Sequence, residues 1–416
     1  MAGPRPALVR RARRLLGYWR SETRTLRQGL VALVISTAAG FVAGLTLAHI
    51  TGTLAAFPGL LILIPAAVGM KGTIFGAIGA RLGTANAAGV LEINLEPGGV
   101  LRRNVDVAIL TTFSSSLWLA LLARFAGALF GQPSISLWDL AVISIVGGAI
   151  GSVLVLSITI GLSALSYRLE WDLDSVSTPM VTALGDMTTL PSLFLATFLV
   201  RNEAVAVGVG IVAIGVAVAA TVRSYVVRDR RVRRIVLEMT ATILLTPILD
   251  ILSGGLQQAR LAELTAVPVL LLLIPPFVSQ AGALGGIFSS RITSKLQIGV
   301  ITPSGRPDTP AIVDGSIVLG LSLVVFTLIG AISWALGATT GLPGMPGAWT
   351  LIGATLLAGV LVTPLTVLAG YYLAIITYRF GLDPDNQGVP IITSVMDLAG
   401  VAVILIVMTS SGVLHG

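Results

Sequence analysis

Cysteine is absent from this sequence, and histidine occurs only twice, once next to the C-terminus as His415. Without cysteine there is no disulfide, thiolate metal site or thiol nucleophile. Without a histidine cluster the common zinc, haem and copper centres are excluded, so a bound metal would have to be held by oxygen. Charge is scarce as well. Charged residues make up 11% of the 416 and hydrophobic ones 55%, with a mean hydropathy of +0.95, which rules out a water-soluble globular protein. The net charge of +7 is nearly all arginine, and in so apolar a chain that excess belongs on cytoplasmic loops and not on nucleic acid.

What the sequence does have is apolar runs of about 20 residues, the length that crosses a bilayer. They place membrane helices near 27–49, 54–79, 104–130, 137–165, 175–200, 204–226, 234–255, 263–290, 311–337, 348–377 and 388–412. Residues 1–26 form a basic segment with Arg5, Arg10, Arg11, Arg13, Arg14, Arg20 and Arg24, which sets the N-terminus in the cytoplasm. This segment reads equally as a basic amphipathic helix on anionic lipid or as a plain topogenic tail. Eleven crossings then put Arg81, Arg102 and Arg103, Arg168, Arg223 to Arg234, Arg291, Lys295, Arg306 and Arg379 inside. The C-terminus falls outside, and a plasma membrane is the expected location.

The chain repeats itself. Pro58 to Pro65 reappears as Pro268 to Pro275, and Gly72, Gly76 and Arg81 face Gly282, Gly286 and Arg291, all at an offset of 210. Tyr167, Arg168, Asp172, Asp174, Pro179, Thr182 and Asp186 match Tyr378, Arg379, Asp383, Asp385, Pro390, Thr393 and Asp397 at an offset of 211. The expected organisation is a first five-helix repeat over 27–200, a linking membrane helix with a basic loop over 201–233, and a second repeat over 234–416. The extra crossing makes the repeats parallel, related by a pseudo-two-fold axis along the membrane normal.

Asp186 and Asp397 fall well inside the fifth and eleventh spans. A carboxylate at that depth costs roughly 2.5–3.5 kcal/mol on insertion scales, and it faces water or a partner. Two symmetric carboxylates without a symmetric base point to a cation site; the alternative is a bond to a neighbouring helix, for example to Lys71 or a hydroxyl. Thr182 and Thr393, one turn earlier on the same face, are secondary oxygen donors. Pro179 and Pro390 either free a carbonyl toward a polar cavity or simply kink the helix. Oxygen ligands suit a hard cation such as Mg²⁺, which keeps much of its water.

The second and eighth spans supply Gly69, Lys71, Gly72, Gly76, Ser279, Gln280, Gly282 and Gly286, which with Gly185 read either as a pore wall or as close helix packing. Lys71 faces Ala281 in the other half; it tethers an aspartate or snorkels to the interface. Asp250, near the outer end of the seventh span with no acidic counterpart, is a vestibule candidate. Asp106 and Asp314, near the inner ends of the third and ninth spans, are candidates for the cytoplasmic mouth or for a topological role.

These residues resemble the membrane domain of MgtE magnesium transporters and, more closely, the duplicated solute carrier family 41. The second half carries the family's fifth-helix pattern in Asp383-Pro384, Pro390, Thr393 and Asp397; the first half carries Asp172, Pro179, Thr182, Gly185 and Asp186 and lacks the proline after the first aspartate. The resemblance implies divalent cation transport, chiefly of Mg²⁺, with Asp186 and Asp397 binding a largely hydrated ion. It leaves Mn²⁺, Co²⁺ and Ca²⁺ as further candidates and Na⁺ as a coupling ion in an exchanger alternative. The family's cytosolic N and CBS domains have no room in this chain, so gating through them is not expected. Because one chain holds both halves, a monomer would suffice.

One enzyme class competes. Leu184-Gly185-Asp186 is similar to the GxGD of presenilin-type aspartyl proteases, whose carboxylate dyad shares a proton. Ala183 stands where that pattern has glycine, and Met396 precedes Asp397 where it has tyrosine. The expectation is therefore an all-helical transporter of eleven spans.

Overall fold

In lipid a backbone finds no partner except itself, so each apolar run closes its own hydrogen bonds as a helix. The structure is a computed structural model and describes residues 23–90, 92, 94–96, 98–169, 173–381 and 387–414, without the side chains of 23–29, 31–32, 84, 86–87 and 162–183. Its long helices are α1 (Thr23–His49), α2 (Leu60–Ala87), α3 (Val100–Leu129), α4 (Leu137–Leu169), α5 (Leu173–Thr197), α6 (Glu203–Val226), α7 (Arg230–Ala259), α8 (Val269–Gln297), α9 (Thr309–Thr339), α10 (Ala348–Phe380) and α11 (Val389–Ser410). No strand occurs among the described residues. Over those residues nine of the helices are long and apolar enough to cross a membrane, and α1 adds a shorter apolar stretch, Leu33–His49. The chain is an all-helical, multi-pass membrane protein. The basic segment before residue 23 lies outside the described residues.

Each expected span has its helix, and two differ in the same way. The spans expected at 54–79 and 263–290 open instead as short helices, Thr51–Ala56 and Leu261–Ala266, which stop ahead of Pro58 and Pro268. A residue before proline is pushed out of the helical region. Phe57 accordingly sits at φ −121°, ψ 73° and Val267 at φ −125°, ψ 70°. Beyond each proline a new helix starts and runs past its apolar window, to Ala87 and to Gln297.

These matched breaks stand 210 residues apart, and so do the turns that close α3 and α9. Gly131 and Gly341 take the left-handed conformation at φ 61° and 69°. Next to them the amides of Gln132 and Leu342 donate back to the carbonyls of Gly127 and Gly337 at 2.8 and 3.0 Å. The loop that follows is one residue longer in the second half, since α4 starts at Leu137 and α10 at Ala348. That insertion turns the offset of 210 into 211.

Packing joins the halves by exchange. The principal neighbours of α1 are α5 and, in the other half, α8; α7 lies likewise on α11 and on α2. Both crossings bring backbone to backbone. A methyl group on Gly44 would stand 2.1 Å from the Leu272 carbonyl oxygen, and one on Gly254 would stand 2.5 Å from that of Ile62. Gly44 and Gly254 are themselves 210 apart, as are Ile62 and Leu272.

The linking helix α6 packs on α3 and α4. Its buried stripe is made of small residues, Ala206, Gly210, Ala213, Ala217, Ala220 and Ser224. At Gly210 the ring of Trp138 occupies the space of a side chain, and the Trp138 indole donates to the Ala206 carbonyl at 3.1 Å. Val207, Ile211, Val212, Val218 and Val222 on the outer face are exposed. Beyond α6, Asp229 caps α7 by accepting from the Arg231 and Val232 amides. Arg103 Nε also donates to Asp229 at 2.9 Å, and this hydrogen bond holds the carboxyl below its usual range.

Gly44→Ala and Gly254→Ala should each destabilise the protein by about 1–3 kcal/mol through overpacking. Gly215→Ala, where nothing lies within 4 Å, is the control. Thermal unfolding of the purified protein in detergent checks the order.

Candidate cation site

Asp186 on α5 and Asp397 on α11 are each 8% exposed. Asp186 Oδ2 accepts a hydrogen bond of 2.9 Å from Ser279 Oγ on α8, so the first half's aspartate is bonded across to the second half. Ser279 Oγ lies 3.1 Å from Ser36 Oγ on α1. The exchanged crossing of α1 on α8 therefore supplies Asp186 with a chain of two hydroxyls.

Around Asp397 the composition differs. Asp397 lies beside Asp250 of α7 and is close enough to Asp186 to interact electrostatically. Asp250 is 0% exposed, with the Ser394 hydroxyl and the Asp397 carboxyl as its polar neighbours and no lysine or arginine against it among the described residues. Gly69 of α2 makes room for it, for a methyl group there would stand 2.6 Å from Asp250 Oδ2. Ser253 Oγ, on the same helix as Asp250, donates to the Asp397 carbonyl at 3.0 Å. The vestibule expectation for Asp250 is thus corrected. α7 continues to Ala259 and lies against α2 and α11, which puts Asp250 in the interior. The signal in the sequence was a lone acid in an apolar run at the position that corresponds to Gly40.

Among the described residues no three His, Cys, Asp or Glu side chains converge closely enough to ligate a bare metal ion.

Other expected residues take structural positions. Lys71 is 4% exposed and donates to the Gly148 carbonyl and to Ser152 Oγ on α4, where Thr112 Oγ1 is 2.9 Å from Ser152 Oγ. It neither tethers an aspartate nor snorkels, because this hydroxyl and carbonyl cluster satisfies it inside the first half. Gln280 Nε2 donates to the Leu33 carbonyl at 3.0 Å and so fastens α8 to α1. A methyl group on Gly282 would stand 3.1 Å from Thr393 Cγ2, so this glycine lets α8 and α11 pack closely, whereas at Gly286 and Gly185 a methyl group would make ordinary contacts of 3.6 Å with Val389 Cγ1 and 3.4 Å with Lys71 Cβ. Gly76 is buried and Gly72 half-buried on α2.

Thr393 Oγ1 is bonded to the Val389 carbonyl of its own helix at 2.9 Å, which leaves its lone pairs as acceptors. Pro390 is the second residue of α11, and the two residues ahead of α11, Gln387 and Gly388, are themselves in a wider helical turn. The side chains of Thr182 and Pro179, the Asp172 and Asp174 carboxylates, and Asp383 and Asp385 lie outside the described residues.

At the helix ends, Asp106 forms an exposed pair with Arg102 at 3.3 Å. Asp314 is 0% exposed, with Arg291 at 2.8 Å and Lys295 at 2.5 Å. It is an internal ion pair and not part of an open mouth. Arg81, the counterpart of Arg291, bonds Asn104 at 3.2 Å, the counterpart of Asp314.

Two like halves of membrane helices with carboxylates buried between them make the frame of a cation transporter. The model of the MgtE divalent cation transporter family matches the chain twice, over residues 64–196 and 274–407, and the chain belongs to that family. The matched stretches begin 210 and end 211 residues apart, as the internal repeat does. No curated protein matches the chain. Among solved structures, that of the eukaryotic MATE transporter AtDTX14 is similar at 14% identity and a TM-score of 0.33, with 94% of this chain and 96% of that chain covered, too low a likeness to carry an argument.

Asp314→Ala should cost about 3–5 kcal/mol by leaving two cations without their buried partner. Asp106→Ala, in a solvated pair, should cost under about 1 kcal/mol. Unfolding midpoints of the two variants against the parent protein test the contrast.

Proposed function

We propose that this protein carries Mg²⁺ across the plasma membrane, the ion passing between the two halves with much of its water and meeting Asp186 and Asp397 on the way. The observation that carries this reading is the pair of duplicated, mostly buried carboxylates, neither of which forms an ion pair with lysine or arginine among the described residues. Buried charge of one sign without a protein counter-ion is expensive in a membrane, and a passing cation offsets it. The oxygen donors around the two aspartates, Ser279 and Ser36 on one side and Ser394 and Asp250 on the other, favour hard cations, and a hard divalent ion such as Mg²⁺ gives up its water reluctantly. Mn²⁺, Co²⁺ and Ca²⁺ share the oxygen preference and are the natural competitors.

Thr393, and Thr182 in the matching place, add oxygen atoms along the path. The arginine-rich N-terminal segment sets that end in the cytoplasm and holds it near anionic lipid, and the C-terminus is outside. With both halves in one chain, a single copy completes the path.

Flux into proteoliposomes tests the reading. Asp186→Asn and Asp397→Asn should each lower Mg²⁺ flux at least about tenfold, the loss of more than about 1.4 kcal/mol of ion stabilisation, in protein that unfolds at the parent temperature. Wild-type flux that collapses without a Na⁺ gradient marks an exchanger; flux indifferent to it marks a channel. Undiminished flux in both variants would overturn the site.

A further inference from the structure

We infer that Asp250 is a third carboxylate of the cation path, acting on the hydrated ion from the second half alone. This rests on the path proposed above and adds to it a residue that has no equivalent across the pseudo-two-fold axis.

The two halves equip their fifth-helix aspartates differently. Asp186 faces Ser279, which donates to it, with Ser36 behind. By the repeat, Gly69 corresponds to Ser279 and Asp250 to Gly40. On the Asp397 side the Ser279 hydroxyl therefore has no counterpart, and a carboxylate fills the space that Gly69 leaves open. Asp397 and Asp250 lie side by side, and the fully buried Asp250 has only the Ser394 hydroxyl and the Asp397 carboxyl as polar neighbours, with no lysine or arginine against it among the described residues.

A buried carboxylate placed for structural reasons would be expected to pair with a base. Asp314 in this same chain does so, with Arg291 and Lys295. Asp250 has no base against it among the described residues; its polar neighbours are the Ser394 hydroxyl and a second acid, Asp397. Its side chain adds negative charge next to Asp397 with no counter-ion, the arrangement that a hydrated divalent cation completes.

The first half cannot hold the same acid. A methyl group on Gly40 would already stand 2.7 Å from the Pro276 Cα, and the residue matching Pro276 in the first half is Ala66. The path therefore has two carboxylates on one side and one on the other. Attraction scales with the charge of the ion, so the added carboxylate favours divalent over monovalent cations.

The test is Mg²⁺ flux against concentration in proteoliposomes, with Na⁺ or K⁺ as competitor. Asp250→Asn should raise the half-saturating Mg²⁺ concentration at least about tenfold while flux survives at high Mg²⁺, and competition by monovalent ions should strengthen. Gly69→Ser, which gives α2 the residue of α8 and crowds Asp250 Oδ2, should shift both readouts the same way; it also decides the matter if the Asp250 variant does not fold. A half-saturation and a competition profile equal to wild type, in a preparation where Asp397→Asn abolishes flux, would assign Asp250 to packing and overturn the inference. Flux that survives both Asp186→Asn and Asp397→Asn would instead remove the path on which it rests.

Discussion

At Gly44 and Gly254 two helix backbones come against the carbonyls of Leu272 and Ile62, and the arrangement of the other helices depends on these two approaches. Lipid is as apolar as the helix surfaces, so burial of apolar area does not drive helices together; close packing and hydrogen bonds between helices do. Each approach carries one half's first helix onto the other half's second helix. That places Ser36 behind Ser279 and, through it, bonds α8 to Asp186; on the other side it sets Asp250 against Gly69 of α2. The polar centre is thus a product of where two glycines let the backbones meet.

Within that shared frame the halves have diverged at a few positions with large electrostatic effect. Lys71 faces Ala281, Asn104 faces Asp314 and Gly40 faces Asp250 in the alignment of the repeats. Lys71 and Asp314 are each compensated locally, the one by hydroxyl and carbonyl oxygens of α4 and α3, the other by two cations. Asp250 has no cation against it among the described residues. The frame tolerates a new charge where the immediate neighbours satisfy it, and at the centre it holds one without a counter-ion.

The repeat offset, the helix count and the two buried aspartates were legible in the sequence because each rests on period, length or depth, which are properties of one chain read in order. Which face of a helix meets which partner is not such a property. Gln280 looked like part of a pore wall and turned out to fasten α8 to α1, since only the exchanged crossing puts Leu33 beside it. Asp250 looked peripheral because its apolar window ended soon after it, whereas α7 goes on to Ala259 and is covered by α2 and α11. A lone acid opposite a glycine in an otherwise matched pair of helices was the signal available, and it pointed to asymmetry without giving a place for it.

The position of α6, with its small-residue stripe on α3 and α4 and its valines turned outward, bears on how the two halves find each other. Two separate copies of a five-helix unit would pair in proportion to their density in the bilayer and would come apart when diluted. Joined by a single crossing helix, the halves meet at an effective concentration set by that tether and independent of expression level. Pairing of the two halves becomes a folding step, and the fraction of chains with paired halves does not depend on how many copies the membrane holds.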